Sequence, residues 1–221
     1  MSSNWEILGE AGLQFFGKMS ASISHEMKNV LAIINENAGL LEDLTVMAEK
    51  GMPIDPERLK TQASRIMKQI RRGDDIIKGM NRFAHSVDEP LRQTDLNDSL
   101  ALMCALSGRF ASMRGVTLEQ EPPSTQVPII THPFFLQNLL WLCLDFAMGC
   151  AGAGKTVFLK AEKTEGGAKI RFSKLQGLAN CETGSFPGER ETALLQVLKA
   201  DWVIHKDLGE MHLTFQPESK G

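Results

Sequence analysis

The sequence lacks several features that would point to other classes of protein. No stretch is long and apolar enough to span a bilayer, and the N-terminus has no basic start followed by an apolar run, so we expect neither a membrane partner nor a signal peptide. The net charge of −3 gives no general attraction to nucleic acid. The four cysteines form no CxxC pair and lie mostly in apolar helical runs, which favours reduced core thiols over disulfides or a zinc site. The sequence therefore predicts a cytoplasmic protein without a metal.

The composition is that of an ordinary globular protein. The chain has 221 residues, of which 43% are hydrophobic and 23% are charged. This length suffices for two small domains or one medium one.

Two long helical patterns fill the first part of the chain. The first ends near Lys50-Gly51, and the second begins at Asp55-Pro56, an N-cap followed by a proline at the first helical position. Apolar residues alternate four and three positions apart, and the predicted seams are Ile23, Met27, Leu31, Ile34, Ala38, Leu41 and Thr45, then Leu59, Ala63, Ile66, Ile70, Gly73, Ile77, Met80, Ala84 and Val87. The short turn makes the helices antiparallel. Because a lone hairpin does not bury both stripes, we expect a homodimer built as a four-helix bundle.

The segment Ser22–Asn29 carries the chemistry of this hairpin. His25 is the candidate nucleophile, Glu26 can hold its far ring nitrogen and fix the tautomer, and Asn29 lies one helical turn on. His25 is offset by about 200 degrees from Ile23 and Met27, so we expect it to face outward.

The second half predicts an α+β fold, a sheet covered on one face by helices. The predicted elements are a helix over 97–114, a strand over 116–120, a helix over 132–151, strands over 156–162 and 169–172, a helix over 189–200, and strands over 202–205 and 210–216.

A phosphate-loop pattern, GxxxxGK[ST], occurs at residues 149–156. A working phosphate loop follows a strand and opens a helix. Here the order is reversed, which indicates a glycine-rich turn from helix to strand rather than a nucleotide site.

Ser24-His25-Glu26-Met27-Lys28-Asn29 resembles the phosphoacceptor box of sensor histidine kinases, with Val30 where the usual proline stands. The resemblance continues through Met80-Asn81-Arg82-Phe83-Ala84 and Thr94-Asp95-Leu96-Asn97-Asp98, and covers about Phe15 to Gln216. It implies a dimerisation and phosphoacceptor domain over 1–88, a linker over 89–97, and an ATPase-like α/β sandwich over 98–221.

The second domain departs from the family at each nucleotide-binding element. Leu142 and Phe146 stand where two asparagines would organise magnesium and phosphates, and neither side chain has the oxygen that magnesium requires. Residues 173–177 lack the adenine-reading aspartate, residues 187–192 place carboxylates where phosphates would lie, and the stretch between them is short for a lid. We therefore expect the fold without ATP binding.

A phosphoacceptor without an ATP site predicts a histidine phosphotransfer protein of two-component signalling, a phosphotransferase without autokinase activity. Its partner would be a response-regulator receiver domain that brings its own Mg²⁺, so this chain needs no bound cofactor. The predicted catalytic residues are His25, Glu26 and Asn29, and the predicted partner-binding residues are Lys28, Ser22 and Arg72. The alternatives are a non-catalytic interaction module, a receiver phosphatase and, with less support, an active nucleotide-binding kinase.

Overall fold

A computed structural model describes residues 4–181 and 186–216 of the chain. The helices are α1 (Asn4–Glu49), α2 (Pro56–Ala84), α3 (Leu96–Met113), α4 (Pro133–Gly149) and α5 (Glu189–Leu198). The strands are β1 (Arg92–Asp95), β2 (Thr117–Gln120), β3 (Pro128–Thr131), β4 (Thr156–Thr164), β5 (Gly167–Ser173), β6 (Ala200–His205) and β7 (Glu210–Phe215). The predicted α+β fold class, with a helical hairpin before the sheet, is confirmed. Among the described residues, no helix combines the length and hydropathy needed to cross a membrane.

The chain forms two compact units. The first unit holds residues 19–82, the greater part of the hairpin. The second unit holds the described residues up to Lys18 together with those from Phe83 onward. Phe15 explains why the start of α1 belongs to the second unit, because its ring lies 5.4 Å from that of Phe83 and 5.6 Å from that of Phe134. The predicted domains, 1–88 and 98–221 with a linker at 89–97, stay a prediction, although residues 92–96 lie in β1 and α3.

The hairpin has the predicted helix boundaries. The Asp55 carboxylate accepts a hydrogen bond of 3.0 Å from the Glu57 backbone N–H and so caps α2, while Pro56 occupies the first helical position, where no donor is needed. Gly51, with a φ of 80°, makes the turn after α1 in a left-handed conformation that favours glycine.

In the single chain, the buried positions of α1 lie one residue before the predicted seam over much of its length. Val30, Asn37 and Leu44 are buried, whereas Leu31 is 58% exposed and Ala38 and Thr45 are also exposed. Exposed apolar residues lie on α2 as well, namely Met67, Ile70, Ile77 and Met80. Both helices carry an apolar arc wider than one partner helix covers, so the sequence pattern alone does not set the phase.

The second unit is built on a five-stranded sheet in the order β2-β4-β5-β7-β6, in which only β2 and β4 are parallel. One face alternates into the core with Ile170, Phe172, Met211 and Leu213 fully buried. The opposite face carries ion pairs among charged side chains, including Lys169 to Glu162 at 3.1 Å. α4 lies in the helical layer between α3 and α5 and is buried along most of its length.

A small antiparallel sheet of β1 and β3 is present that the sequence patterns did not predict. Asp95 ties it to the next helix, because its carboxylate accepts hydrogen bonds from Asn97 N–H at 2.9 Å and Val127 N–H at 3.2 Å. β1 contains no apolar residue and β3 begins at Pro128, so neither shows the alternation that predicts a strand.

Candidate functional site

The candidate acceptor, His25, lies on an unbroken stretch of α1. Ile23 is 6% exposed and Val30 is 1% exposed, and these side chains anchor this part of the helix in the protein. The imidazole itself is exposed, as predicted, and no described residue bonds to it. Its ring nitrogens are therefore accessible to a group arriving from solvent.

Glu26, the next residue, bonds to the other helix. Its carboxylate Oε2 accepts a charge-assisted hydrogen bond from Nη2 of Arg72, 46 residues away. The Glu26 side chain is 25% exposed and that of Arg72 is 47% exposed. Successive residues on a helix point about 100 degrees apart, so Glu26 turns toward the seam while His25 faces outward. The predicted hold of Glu26 on the His25 ring stays a prediction.

A glycine permits the two helices to approach closely beside this ion pair. A Cβ atom on Gly73 would lie 3.3 Å from Cγ1 of Val30 and 3.8 Å from Cε of Met27. The absence of a side chain at Gly73 thus brings the backbone of α2 against α1 one residue after Arg72.

The remaining predicted site residues differ in exposure. Asn29 is exposed, one helical turn after His25 on α1, and Lys28 is exposed as well. Ser22 is only 2% exposed, so its side chain is not presented to a partner in this structure. The partner contacts of Lys28 and Arg72 stay predictions.

Apolar side chains occupy positions 142 and 146, where the resemblance to histidine kinases implies two asparagines. Leu142 is 5% exposed and packs in the core from α4. The ring of Phe146, one turn later, stacks on that of Phe186 with centroids 4.4 Å apart and an interplanar angle of 10°. Phe186 in turn contacts Trp202 of β6 at 5.3 Å. Phe146, Phe186 and Trp202 thus form an aromatic cluster beside α4.

Residues 173–177 and 187–192, the other two segments in which the resemblance implies nucleotide contacts, also pack against or bond to the rest of the protein. Leu175, within residues 173–177, is 1% exposed. In the second segment, the Glu191 carboxylate accepts a hydrogen bond of 2.9 Å from the Gly188 N–H and so caps the start of α5.

The phosphate-loop pattern forms a turn from helix to strand, as predicted. α4 ends at Gly149, a short 3₁₀ turn covers Gly152–Gly154, and β4 starts at Thr156. A Cβ on Gly152, whose φ is 65°, would lie 2.5 Å from the backbone N of Gly177, so only glycine fits there.

The prediction of four reduced cysteines is wrong for two of them. Cys150 and Cys181 form a disulfide, with Cα atoms 6.0 Å apart, because the turn after α4 brings Cys150 beside the segment that follows β5. Cys104 and Cys143 are free thiols. Burial raises the pKa of Cys104 to about 12 and also raises that of Cys143, so both thiols stay protonated near neutral pH.

The other histidines have structural contacts. His85 bonds to Asp88 at 2.7 Å, His212 bonds to Glu210 at 3.0 Å, and the ring of His205 lies 4.5 Å from that of His212. His132 precedes α4, stacks on Phe135 at 4.1 Å, and has its pKa lowered by burial. Within residues 4–181 and 186–216, no three His, Cys, Asp or Glu side chains form a group that could hold a metal ion.

Sequence reasoning singled out Arg72 but missed its role as the partner of Glu26, and it missed the close approach at Gly73. The two charged residues lie on different helices, and a shift of one residue in helix phase changes which side chains meet. The sequence did offer one signal for this contact. Glu26 follows the candidate acceptor on α1, and Arg72 precedes a glycine on the facing helix.

No protein-family model matches the chain, and no curated protein matches it. Among solved structures, the chain is similar to the Acinetobacter baumannii histidine kinase AdeS, with a TM-score of 0.48 and 12% identity over 88% of this chain and 98% of that one. It is also similar to a bacterial phosphotransferase, with a TM-score of 0.49 and 12% identity over 91% and 95% of the two chains. The ATP binding domain of PrrB from Mycobacterium tuberculosis is similar with a TM-score of 0.45 and 17% identity, over 59% of this chain and 100% of that one. All three TM-scores are below 0.5 and all three identities are below 25%, so these likenesses carry no argument about the family or the activity of this chain.

Proposed function

We propose that this chain is a histidine phosphotransfer protein of two-component signalling, which accepts and donates a phosphoryl group at His25 without using ATP. The observation that carries the proposal is the packing of Leu142 and Phe146, because apolar side chains fill the positions where a kinase of this kind would ligate magnesium and phosphate. The exposed ring of His25 supports a donor that comes from outside the chain.

The proposed reaction is the attack of a neutral imidazole nitrogen of His25 on the phosphorus of an aspartyl phosphate. A nitrogen–phosphorus bond forms as the phosphorus–oxygen bond to the aspartate breaks, and the electron pair of that bond stays on the aspartate carboxylate. The proton on the other ring nitrogen remains there, so the ring gains positive charge as the phosphoryl group arrives. Glu26 supplies compensating negative charge, and Asn29 orients the phosphoryl oxygens. The reverse reaction passes the group to another receiver.

The proposed partner is a response-regulator receiver domain, and Mg²⁺ is expected there rather than on this chain. Lys28, which is exposed beside His25, would contact the acidic surface of such a partner.

The proposed assembly is a homodimer through the hairpin. Exposed Leu31, Ile70 and Ile77 support it, because a second hairpin would remove these apolar side chains from water. Light scattering coupled to size-exclusion chromatography should give twice the mass of the chain at micromolar concentration, and a monomer would contradict the assembly.

The test of function is transfer of label from receivers. A panel of receiver domains from the same organism is phosphorylated with ³²P-labelled acetyl phosphate, freed of excess reagent, and mixed with the protein. We expect at least one receiver to label the wild type and the His85→Ala variant, and none to label His25→Ala. His85 is a matched control because it is an exposed histidine with a local carboxylate partner.

Other results would support other functions. Loss of receiver phosphate as inorganic phosphate, dependent on Asn29 and independent of His25, would indicate a receiver phosphatase. Labelling from ³²P-labelled ATP in the absence of a receiver would indicate an active kinase. Binding of a receiver with no transfer at all would indicate an interaction module and refute the proposal.

A further inference from the structure

The position of the Glu26 carboxylate depends on a residue outside the segment that resembles the phosphoacceptor box. Glu26 bonds to Arg72 on α2, while no described residue bonds to His25. The inference drawn from this contact rests on the proposed phosphotransfer at His25.

We propose that Arg72 is a positioning residue for phosphotransfer, which acts by holding the Glu26 carboxylate in one rotamer at the position that follows His25 on α1. A glutamate on a helix surface samples several rotamers, and a charge that moves away gives less stabilisation to the ring. The bond to Arg72 fixes Glu26 before the phosphoryl group arrives. The carboxylate is then already placed when the His25 ring gains positive charge.

The environment of the pair is suited to this role. Glu26 is three-quarters buried, at 25% side-chain exposure, so its carboxylate is less screened than that of a fully exposed residue. The close contact at Gly73, which adjoins Arg72, sets the distance between the two helices at this level. An arginine presents its N–H donors in a planar fork, which fixes the carboxylate better than a lysine would.

A positioning residue and a direct partner contact have different kinetic consequences. If Arg72 acts through Glu26, its loss lowers the maximal transfer rate and leaves the half-saturating receiver concentration unchanged. If Arg72 instead binds the receiver, its loss raises the half-saturating concentration.

The experiment measures single-turnover transfer from the labelled receiver that is active in the panel, over a range of receiver concentrations. We expect Arg72→Ala to lower the maximal rate by about 10- to 100-fold. Arg72→Lys should recover part of the rate. Arg71→Ala is the matched control, since it removes the same charge from the neighbouring position of α2, and it should transfer at the wild-type rate.

A double-variant cycle tests the route through Glu26. Because Arg72 acts only by placing Glu26, the double variant E26Q/R72A should be no slower than E26Q alone. Rate losses that multiply in the double variant would overturn the proposal, as would a wild-type or faster rate for Arg72→Ala or a change confined to the half-saturating concentration.

The exchanged pair E26R/R72E separates positioning from a purely structural role. It restores an ion pair across the hairpin but places a cation beside His25. We expect circular dichroism and melting temperature close to those of the wild type with transfer as slow as in E26Q; recovery of the rate would overturn the proposal. If Arg72→Ala does not fold, Arg72→Lys and the exchanged pair carry the test.

The failure of this inference is distinct from failure of the proposed function. Without phosphotransfer, the wild type takes no label from any receiver. Without the positioning role, the wild type is labelled, and the Arg72 variants either keep its maximal rate or lose rate independently of Glu26.

Discussion

Replacement of Gly73 by alanine tests how closely the two helices of the hairpin approach beside the Glu26–Arg72 pair. The new methyl group would lie 3.3 Å from Cγ1 of Val30 and 3.8 Å from Cε of Met27. Val30 is 1% exposed and β-branched, so it has few alternative rotamers. The contact is therefore relieved only if the helices move apart by a few tenths of an ångström.

Two effects of opposite sign set the magnitude for Gly73→Ala. Alanine is a better helix former than glycine by about 1 kcal/mol, and overpacking of a core contact costs about 1–3 kcal/mol. We expect the free energy of unfolding to fall by about 0–2 kcal/mol. Gly39→Ala is the matched control in α1, because no atom lies within 4 Å of the added methyl group there. That variant should gain about 1 kcal/mol.

The assay is urea unfolding followed by circular dichroism at one fixed protomer concentration, since association shifts apparent stability. The quantity of interest is the difference between the two variants. If Gly73→Ala stabilises the protein as much as Gly39→Ala does, the helices are not in close contact at this level and the reasoning is refuted. If the contact is present, Gly73→Ala should also slow phosphotransfer, because it moves Arg72 away from Glu26.

Two further predictions concern the second unit. Leu142→Asn should lower the free energy of unfolding by about 3–5 kcal/mol, because it removes core contacts and buries an amide. Isothermal titration calorimetry should detect no gain in ATP binding. A stable variant that binds ATP would contradict the account of α4. Reduction of the Cys150–Cys181 disulfide, which spans 31 residues, should cost about 3–4 kcal/mol in urea unfolding. Cys104→Ser should show the same dependence on reductant as the wild type, and Cys150→Ser should show none.

The sequence predicted the long elements of the fold because each carries strong local signals. α2 was located by the Asp55-Pro56 start, and α4 by the apolar helical pattern of residues 132–151. The four-residue strands β1 and β3 were missed because their pairing is set by contacts of Asp95 with distant backbone, which a local pattern does not contain.

In the candidate site as well, features with a local sequence signal were predicted, and features that depend on distant residues were not. The exposure of His25 was predicted from helical spacing, and the apolar residues at 142 and 146 were identified from a short motif. The partner of Glu26 depends on the register of two helices, and the disulfide depends on two irregular segments that meet only in the folded chain. Long-range geometry of this kind follows from packing rather than from sequence spacing.

The apolar residues at 142 and 146, where the resemblance to histidine kinases implies two asparagines, do more than omit ligands for magnesium. A nucleotide site needs a polar cavity that stays open in the folded protein, whereas Leu142 is core and Phe146 of α4 stacks on Phe186. Restoring one amide would therefore bury an unsatisfied polar group without creating a cavity. By contrast, the predicted catalytic residues of α1 need no cavity. His25 and Asn29 face solvent, and Glu26 is held by an arginine of the same hairpin. Under the proposed function, the acceptor would therefore take its phosphoryl group at an exposed surface, from another protein that can reach it.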